Sequence, residues 1–226
     1  DEPIMPTPYY CSVNAPDKIN VYTDGSWLYP LKKFLGLGGA GVWWPERALA
    51  ANDKGHTFRP LSIAEKEMAF HTDDQDGVRL HTKIGGFSGS STRTELAAGI
   101  IAVCAHGPVH IGSDSEVFVN GANFYITCIT NGTKHNTNWK LTSDGDLWEH
   151  FYNAAKAKGP HSIRLTWVKG HATQQNIEDG ITNLTNKLGN DIADAVADIG
   201  TALHGEDLMA AAKCFDVRHK FYQKFM

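Results

Sequence analysis

The amino-acid sequence predicts an α/β fold, with a mixed five-stranded sheet of three antiparallel strands and then two parallel ones, flanked by helices. Two observations predict it. Three strand-like segments precede the first strong helical segment, so they can pair as an antiparallel meander. The two later strands are each reached through helical segments, and such crossovers join strands in parallel.

The first three strands are short segments rich in β-branched, aromatic or alternating residues. The first covers residues 19–23 and ends at Asp24, the second covers residues 40–44, and the third lies in "GVRLHTKIGG". A polar insertion, residues 48–77, separates the second strand from the third. It holds a short helical pattern around "SIAEKEMAF".

The strongest helical segment is "STRTELAAGIIAVCAH", which begins with Ser/Thr cap residues and continues as an Ala/Leu/Ile run. A fourth strand follows in "PVHIGSDS" and ends at Asp114. Two helical segments, "SEVFVNGANFYI" and "DGDLWEHFYNAAKAKG", lead to the fifth strand in "SIRLTWVKGH". An Ala-rich amphipathic helix, "KLGNDIADAVADIG", comes next.

These elements divide the chain into a central domain with two extensions. Residues 1–17 are Pro-rich and irregular, residues 18–200 form the domain, and residues 201–226 form a helical extension. Within the domain, residues 172–188 are expected to form a long loop. The start has no Met, basic segment or apolar run typical of a signal peptide. We therefore expect a piece of a longer intracellular protein, in the nucleus or cytoplasm.

The composition argues against a broadly basic nucleic-acid-binding surface and against a membrane-spanning segment. The chain has 226 residues with 21 Lys or Arg against 25 Asp or Glu, a net charge of −4, which argues against a broadly basic coat. A local basic patch remains possible. No apolar run approaches the length of a membrane span, so no membrane partner is expected.

Four acidic residues far apart in sequence are predicted to converge. Asp24 and Asp114 each end a strand, and they lie side by side if those strands are neighbours. Glu95 is near the start of the first strong helix, and Asp194 is in the Ala-rich helix. Four carboxylates repel one another unless a divalent cation neutralises them. Oxygen ligands suit Mg²⁺ or Mn²⁺, and two such ions about 4 Å apart support phosphodiester hydrolysis.

Each acid taken alone has a simpler structural explanation. Asp24 before Gly25 is typical of a turn. Asp114 before Ser115 is typical of a helix N-cap, and Glu95 of a first-turn acid that the helix dipole favours. These explanations do not account for order, spacing and strand-end placement together, so we favour the metal site.

Five motifs in this order resemble type 1 ribonuclease H domains: "YTDGS", "STRTELAA", "IGSDS", "WVKGHAT" and "GNDIADAVAD". The resemblance covers roughly residues 18–199. It implies an RNase H-like fold and an endonuclease that cleaves the RNA strand of RNA–DNA hybrids. It also implies two Mg²⁺ ions, replaceable by Mn²⁺, at a ligand set of four acids: Asp24, Glu95, Asp114 and Asp194.

The resemblance also assigns roles around the acids. One ion between Asp24 and Asp194 would orient the attacking water, and the other would stabilise the leaving 3′ oxygen. His171 in "KGH" matches a histidine that assists turnover and product release. Asp191 competes for the last ligand position, and the family pattern favours Asp194, three residues later. Substrate contacts are expected from six positions: Gly25, Ser26, Ser91, Thr92, Arg93 and Ser115. Gly25 would let the RNA strand come close because it lacks a Cβ.

The sequence also departs from compact members of that family. The segment matching their Lys-rich protrusion has few cations, and residues 48–77 and 172–188 are longer. Similar long loops occur in retroelement domains, which suggests a polyprotein with a reverse transcriptase domain. The alternative is a non-catalytic hybrid-binding or connection module, but all four acids are present, which counts against it. The basic C-terminal residues allow two interpretations, phosphate contact or a solvated helix face, and the second is favoured.

Overall fold

The computed structural model describes residues 7–29, 36–50, 55–73, 77–85, 89–133, 135 and 137–225. Its strands are β1 Val21–Leu28, β2 Leu37–Trp44, β3 Arg47–Ala48, β4 Thr57–Phe58, β5 Ala69–Asp73, β6 Gly77–Ile84, β7 Val109–Ser113 and β8 Ile163–Trp167. Its helices are α1 Ile63–Lys66, α2 Ser91–Cys104, α3 Glu116–Asn131, α4 Gly145–Lys158, α5 Gln174–Glu178, α6 Leu184–Ala202 and α7 Glu206–Gln223. Two short 3₁₀ helices cover Trp139–Leu141 and Pro160–Ser162.

The main sheet has the order β5-β6-β2-β1-β7-β8. β1, β2 and β6 pair antiparallel, whereas β7 pairs parallel with β1 and β8 pairs parallel with β7. The predicted mixed sheet is therefore confirmed with all five of its strands. β5 adds a sixth strand at the edge, antiparallel to β6, and it comes from the polar insertion. β3 and β4 form a separate two-residue pair.

Helices cover both faces of this sheet. On one face α2 contacts β1 and β2, and α3 and α4 pack around it over the larger core, where Leu96, Phe118 and Phe151 are buried. On the other face α6 lies across β1, β2 and β6 above a smaller core that includes Tyr22 and Trp43. Both faces are thus closed, as a sheet with parallel strands requires.

Two glycines of β2 let α6 lie directly on the sheet. A Cβ at Gly39 or at Gly41 would collide with the α6 backbone at Ala197, and at Gly41 also with the carbonyl oxygen of Ala193, 2.6 Å away. Backbone therefore meets backbone here without intervening side chains. This close packing fixes the height of α6 above β1, and so the position of Asp194.

The expectation of a long loop over residues 172–188 is wrong. α5 occupies part of this segment, and α6 begins at Leu184 rather than near Lys187. The reason is local capping: Thr173 forms a capping box with Asn176, and the Asn183 side chain accepts a hydrogen bond from the nitrogen of Asn186. Within residues 48–77, the predicted short helix is present as α1.

In the part of the chain that the structure describes, no helix has both the length and the apolar character needed to cross a bilayer.

Candidate active site

Three of the four predicted acids meet at one edge of the sheet. Asp24 lies in β1, Glu95 in the first turns of α2, and Asp114 directly after β7. Carboxylate oxygens of all three lie within 4.8 Å of one another. Asp24 and Glu95 are buried, with 6% and 8% exposure, and Asp114 is partly exposed. The cluster therefore has one solvent-facing side, which a substrate could approach.

Strand pairing explains why these acids meet. The parallel register of β1 and β7 aligns Val21 with Ile111 and Tyr22 with Gly112. Two residues further along the same register, Asp24 stands beside Asp114. Two carboxylates on neighbouring strand ends are thus a direct consequence of parallel pairing.

Asp194 stands apart from this cluster but faces it. It is partly exposed on α6, and its charge raises the pKa of Asp24. Its own pKa is raised, first by burial and then by the neighbouring Asp198, while His171 acts in the opposite direction. The fourth predicted acid is therefore coupled electrostatically to Asp24 and Asp114, although the cluster of ligand oxygens comprises the other three acids.

The site favours protonated carboxyl groups when no cation is present. Burial, followed by repulsion from Asp114, raises the pKa of Asp24 to about 7, although a hydrogen bond with Glu95 acts in the opposite direction. Burial and the charge of Asp24 raise the pKa of Glu95 as well. The Glu95 Oε2 atom is buried without a hydrogen-bond partner. A hard divalent cation binds carboxylate oxygens and neutralises their charge, and it would give the unpaired Glu95 oxygen a partner. These residues therefore fit Mg²⁺ or Mn²⁺.

Asp114 is positioned by three residues that the sequence analysis did not select. The Trp167 Nε1 atom donates to the Asp114 carbonyl oxygen at 2.9 Å, and the Asn190 Nδ2 atom donates to its Oδ2 atom at 3.3 Å. A Cβ at Gly170 would collide with the same carboxylate. Gly170 lies in the "KGH" motif and Asn190 in the "GND" motif, so the sequence motifs already contained both residues.

His171 is exposed on the loop after β8, in the left-handed backbone region with φ of 46°. Its effect on the pKa of Asp194 places the imidazole near that carboxylate. Asp191, the rival for the last ligand position, is exposed and forms an ion pair with Lys187 one helical turn away. The geometry therefore favours Asp194 over Asp191.

Gly25 has a structural role beside the predicted contact with substrate. A Cβ there would stand 2.5 Å from both the Glu95 nitrogen and the Thr94 Oγ1 atom. Glycine is required so that the first turn of α2 can approach β1, and the contact of Gly25 with substrate stays a prediction. The Ser26 hydroxyl is buried and donates to Asp198 at 2.7 Å.

The remaining predicted contacts lie at two helix starts. Ser91 is exposed and Thr92 partly exposed in the first turn of α2, whose N-cap is Ser90. Arg93 lies in the same turn and holds the Asp146 carboxylate with two hydrogen bonds of 2.9 and 2.6 Å. Ser115 caps α3 by accepting from the Phe118 nitrogen at 3.3 Å. Arg93 and Ser115 thus have structural partners, and their contact with substrate stays a prediction.

Comparison with known proteins identifies the family. The RNase H family model matches residues 16–201, and no curated protein matches the chain. Three similar solved structures are LC9-RNase H1, a type 1 RNase H with the type 2 active-site motif, the PFV RNase H domain, and the prototype foamy virus protease-reverse transcriptase.

LC9-RNase H1 is 18% identical, with 91% of this chain and 78% of that chain covered and a TM-score of 0.47. The PFV domain is 20% identical, with 81% of this chain and 93% of that chain covered and a TM-score of 0.47. The foamy virus protein is 20% identical, with 85% of this chain and 22% of that chain covered and a TM-score of 0.48. Since the family model spans most of its length, the chain belongs to the RNase H family.

Proposed function

We propose that this chain is an endonuclease that hydrolyses the RNA strand of RNA–DNA hybrids with two divalent metal ions. The observation that carries the proposal is the meeting of Asp24, Glu95 and Asp114 within 4.8 Å. Two of these acids are buried, and a bound cation offsets the repulsion between their ionised forms. Membership of the RNase H family supports the hybrid as substrate.

Asp24, Glu95, Asp114 and Asp194 would hold Mg²⁺, and Mn²⁺ would substitute for it. When bound, the two ions would supply activation of the attacking water and stabilisation of the leaving 3′ oxygen. The chain's own residues would fix the ligands. Trp167 and Asn190 hold Asp114 through its carbonyl and its carboxylate.

His171 would assist proton movement or product release beside Asp194. It is exposed, so its ring is accessible to a bound strand, and its position beside Asp194 partly opposes the rise in the pKa of that carboxyl group. Both features suit a group that acts after substrate has bound rather than one that builds the site.

Recognition of the hybrid would depend on shape, phosphates and 2′-hydroxyl groups rather than on sequence. Ser91 and Thr92, at the accessible start of α2, would contact the strand beside Glu95. Ser26, Gly25, Arg93 and Ser115 would shape this surface mainly through the structural contacts described above.

A reverse transcriptase polyprotein is the proposed setting, acting in the nucleus or cytoplasm. The two long segments of this chain, residues 48–77 and 172–188, support it. The alternative is a non-catalytic module that binds hybrids or connects domains. The complete set of four acids favours the enzyme over the module.

Cleavage of a labelled RNA–DNA hybrid with Mg²⁺ tests the proposal, beside single-stranded and double-stranded RNA. Asp114→Asn should abolish cutting while the protein stays folded. Asp17→Asn is the matched control, because Asp17 is exposed and pairs with Arg164 at the start of β8, away from the acids. A folded chain that binds the hybrid but does not cut it with either Mg²⁺ or Mn²⁺ would support the module instead.

A further inference from the structure

The three acidic residues of helix α6 have different partners. Asp191 forms an ion pair with Lys187, one helical turn before it. The Asp198 carboxylate accepts a hydrogen bond of 2.7 Å from the Ser26 hydroxyl of β1. Asp194 lies between these two acids in α6, and among the described residues none forms a hydrogen bond or an ion pair with it. Within the described part of the chain, it is thus the only α6 carboxylate without a partner.

Ser26 and Asp24 lie on the face of β1 that α6 covers. They pair with Gly39 and Gly41 of β2, respectively. The side chains of directly paired residues point to the same face of a sheet. A Cβ at either glycine would collide with the backbone of α6. The side chains of Asp24 and Ser26 therefore both point toward α6, two residues apart along β1.

The same contacts show which turn of α6 lies opposite Asp24. The Cβ position of Gly41 is 2.6 Å from the carbonyl oxygen of Ala193, the residue before Asp194. Asp24, the partner of Gly41, therefore faces the turn that carries Asp194. Asp198 follows one turn later on the same side of the helix. Burial raises the pKa of Asp194 most, and repulsion by Asp198 raises it next, so these two carboxyl groups lie close together.

The number of carboxylates at such a site affects which divalent cation it prefers. Mg²⁺ requires a nearly ideal octahedral shell and keeps several of its waters, whereas Ca²⁺ accepts roughly six to eight oxygen ligands in a flexible arrangement. An additional carboxylate beside Asp194 would therefore favour Ca²⁺ over Mg²⁺. Asp198 is the residue that could supply it, and the hydrogen bond from Ser26 holds that carboxylate in another place.

We propose that Ser26 is a positioning residue for metal selectivity: its hydroxyl holds Asp198, and so leaves Asp194 as the α6 carboxylate that faces Asp24. This inference rests on the proposed function, because it concerns the same metal site. The role of Ser26 here is exerted through Asp198 and is separate from its predicted contact with substrate. Loss of the hydroxyl should release Asp198, and the site should then shift its preference toward the larger cation.

Metal binding is measured without nucleic acid, so that contact of Ser26 with substrate does not contribute. The unfolding temperature of the full chain is recorded across a series of Mg²⁺ and of Ca²⁺ concentrations at constant ionic strength, and the shift gives a dissociation constant for each ion. Ser26→Ala should change the ratio of the two constants about tenfold in favour of Ca²⁺. Ser26→Cys, a weak donor of similar size, should shift the ratio in the same direction. Asp24→Asn should lose most of the temperature shift with either ion, which locates binding at the clustered acids.

A second substitution separates positioning from a general loss of structure. Asp198→Asn removes the charge but keeps an oxygen that can accept from Ser26, so alone it should leave the ratio close to the native value. Ser26→Ala combined with Asp198→Asn should restore the native ratio, because no carboxylate is then released. Ser162→Ala is the matched control, since this serine is also buried and its hydroxyl donates to the Gly159 carbonyl oxygen at 2.7 Å, just before β8. It should leave the ratio unchanged.

Two results would overturn the inference: a native ratio in Ser26→Ala, or a changed ratio that Asp198→Asn does not restore. If the native chain cuts the hybrid with Mg²⁺ while the ratio in Ser26→Ala stays native, the proposed function stands without the inference. If the native chain does not cut the hybrid and neither ion shifts its unfolding temperature, the proposed function fails, and the inference fails with it.

Discussion

The backbone nitrogen of Glu95 lies 2.5 Å from the point that a Cβ on Gly25 would occupy. This contact sets the distance between β1 and the first turn of α2. Asp24 precedes Gly25, so the same contact also sets the distance between two of the clustered acids. The absence of one methyl group thus controls the geometry of the candidate metal site.

Gly25→Ala should separate α2 from β1. The new methyl group meets backbone atoms, which cannot rotate away, so we expect a loss of about 2 to 4 kcal/mol of unfolding free energy. Urea unfolding would measure it, with Gly85→Ala as control because a Cβ there meets nothing within 4 Å. Equal stability of the two variants would contradict this account of Gly25.

Asp24→Asn should stabilise the metal-free protein at alkaline pH. The raised pKa of Asp24, about 7, means that the folded state holds this proton more tightly than the unfolded state. The resulting stability is present at low pH and is lost as pH rises through about 7. We expect the variant to exceed the native protein by about 1 to 2 kcal/mol near pH 8 and to match it near pH 4. Urea unfolding in chelator would test this, and parallel pH curves for the two proteins would refute it.

Mg²⁺ should raise the melting temperature of the native protein more at pH 8 than at pH 6. Protons and cations compete for the same carboxylates, so a raised pKa of Asp24 and Glu95 weakens metal binding at the lower pH. Thermal unfolding with and without Mg²⁺ measures the difference. Asp24→Asn should lose most of the shift, whereas Asp17→Asn should keep it. A shift that does not depend on pH would show that the ion binds elsewhere.

Arg93→Ala should reduce stability only modestly. The guanidinium is paired with Asp146, whose side chain is 62% exposed, so this pair contributes about 0.5 to 1 kcal/mol. A longer ion pair of 3.5 Å joins it to Asp144, which keeps its hydrogen bond from the Ser90 hydroxyl when Arg93 is removed. A double-mutant cycle with Asp146→Ala separates this ion pair from substrate binding. If Arg93 also contacts the hybrid, only the Arg93 substitution will raise the hybrid dissociation constant; equal effects of both substitutions would reduce Arg93 to a positioning role.

Lys158→Met should remove a pH dependence of stability at alkaline pH. Lys158 is buried, its ammonium group donates to the Ala105 carbonyl oxygen at 2.5 Å, and burial lowers its pKa to about 8. Since the unfolded chain binds this proton more tightly, native stability should rise between about pH 8 and pH 10. Urea unfolding of Lys158→Met should lack that rise, and the exposed control Lys156→Met should retain it. An unchanged rise in Lys158→Met would refute the assignment.

The sequence was sufficient for the sheet because its strands are separated by unambiguous helices and turns. It did not reveal β5, since the pattern of Ala69–Asp73 is short and polar and only pairing with β6 makes it a strand. It also missed the helical turns between residues 174 and 186. Their stability comes from side-chain caps, whose effect depends on a few hydrogen bonds rather than on apolar periodicity.

At the site, the strand ends and the order of the motifs were enough to predict that Asp24, Glu95 and Asp114 cluster. The supporting contacts were not accessible in this way. That Asn190 donates to Asp114, or that Gly170 makes room for it, depends on the packing of α6 and the β8 loop against β7. Such contacts join segments far apart in the chain, so the two motifs that contain Gly170 and Asn190 do not by themselves show what these residues contact.

The close packing of α6 on Gly39 and Gly41 restricts local opening of this helix. Because no side chains separate the two backbones, α6 cannot detach partly from the sheet without exposing the whole contact between α6 and β2 to solvent. Amide hydrogens along β2 and the middle of α6 should therefore exchange with deuterium only through global unfolding. The helix that carries Asp194 would then remain attached to the sheet between catalytic cycles, and the span between Asp194 and Asp24 would stay constant even when the peripheral helices fluctuate.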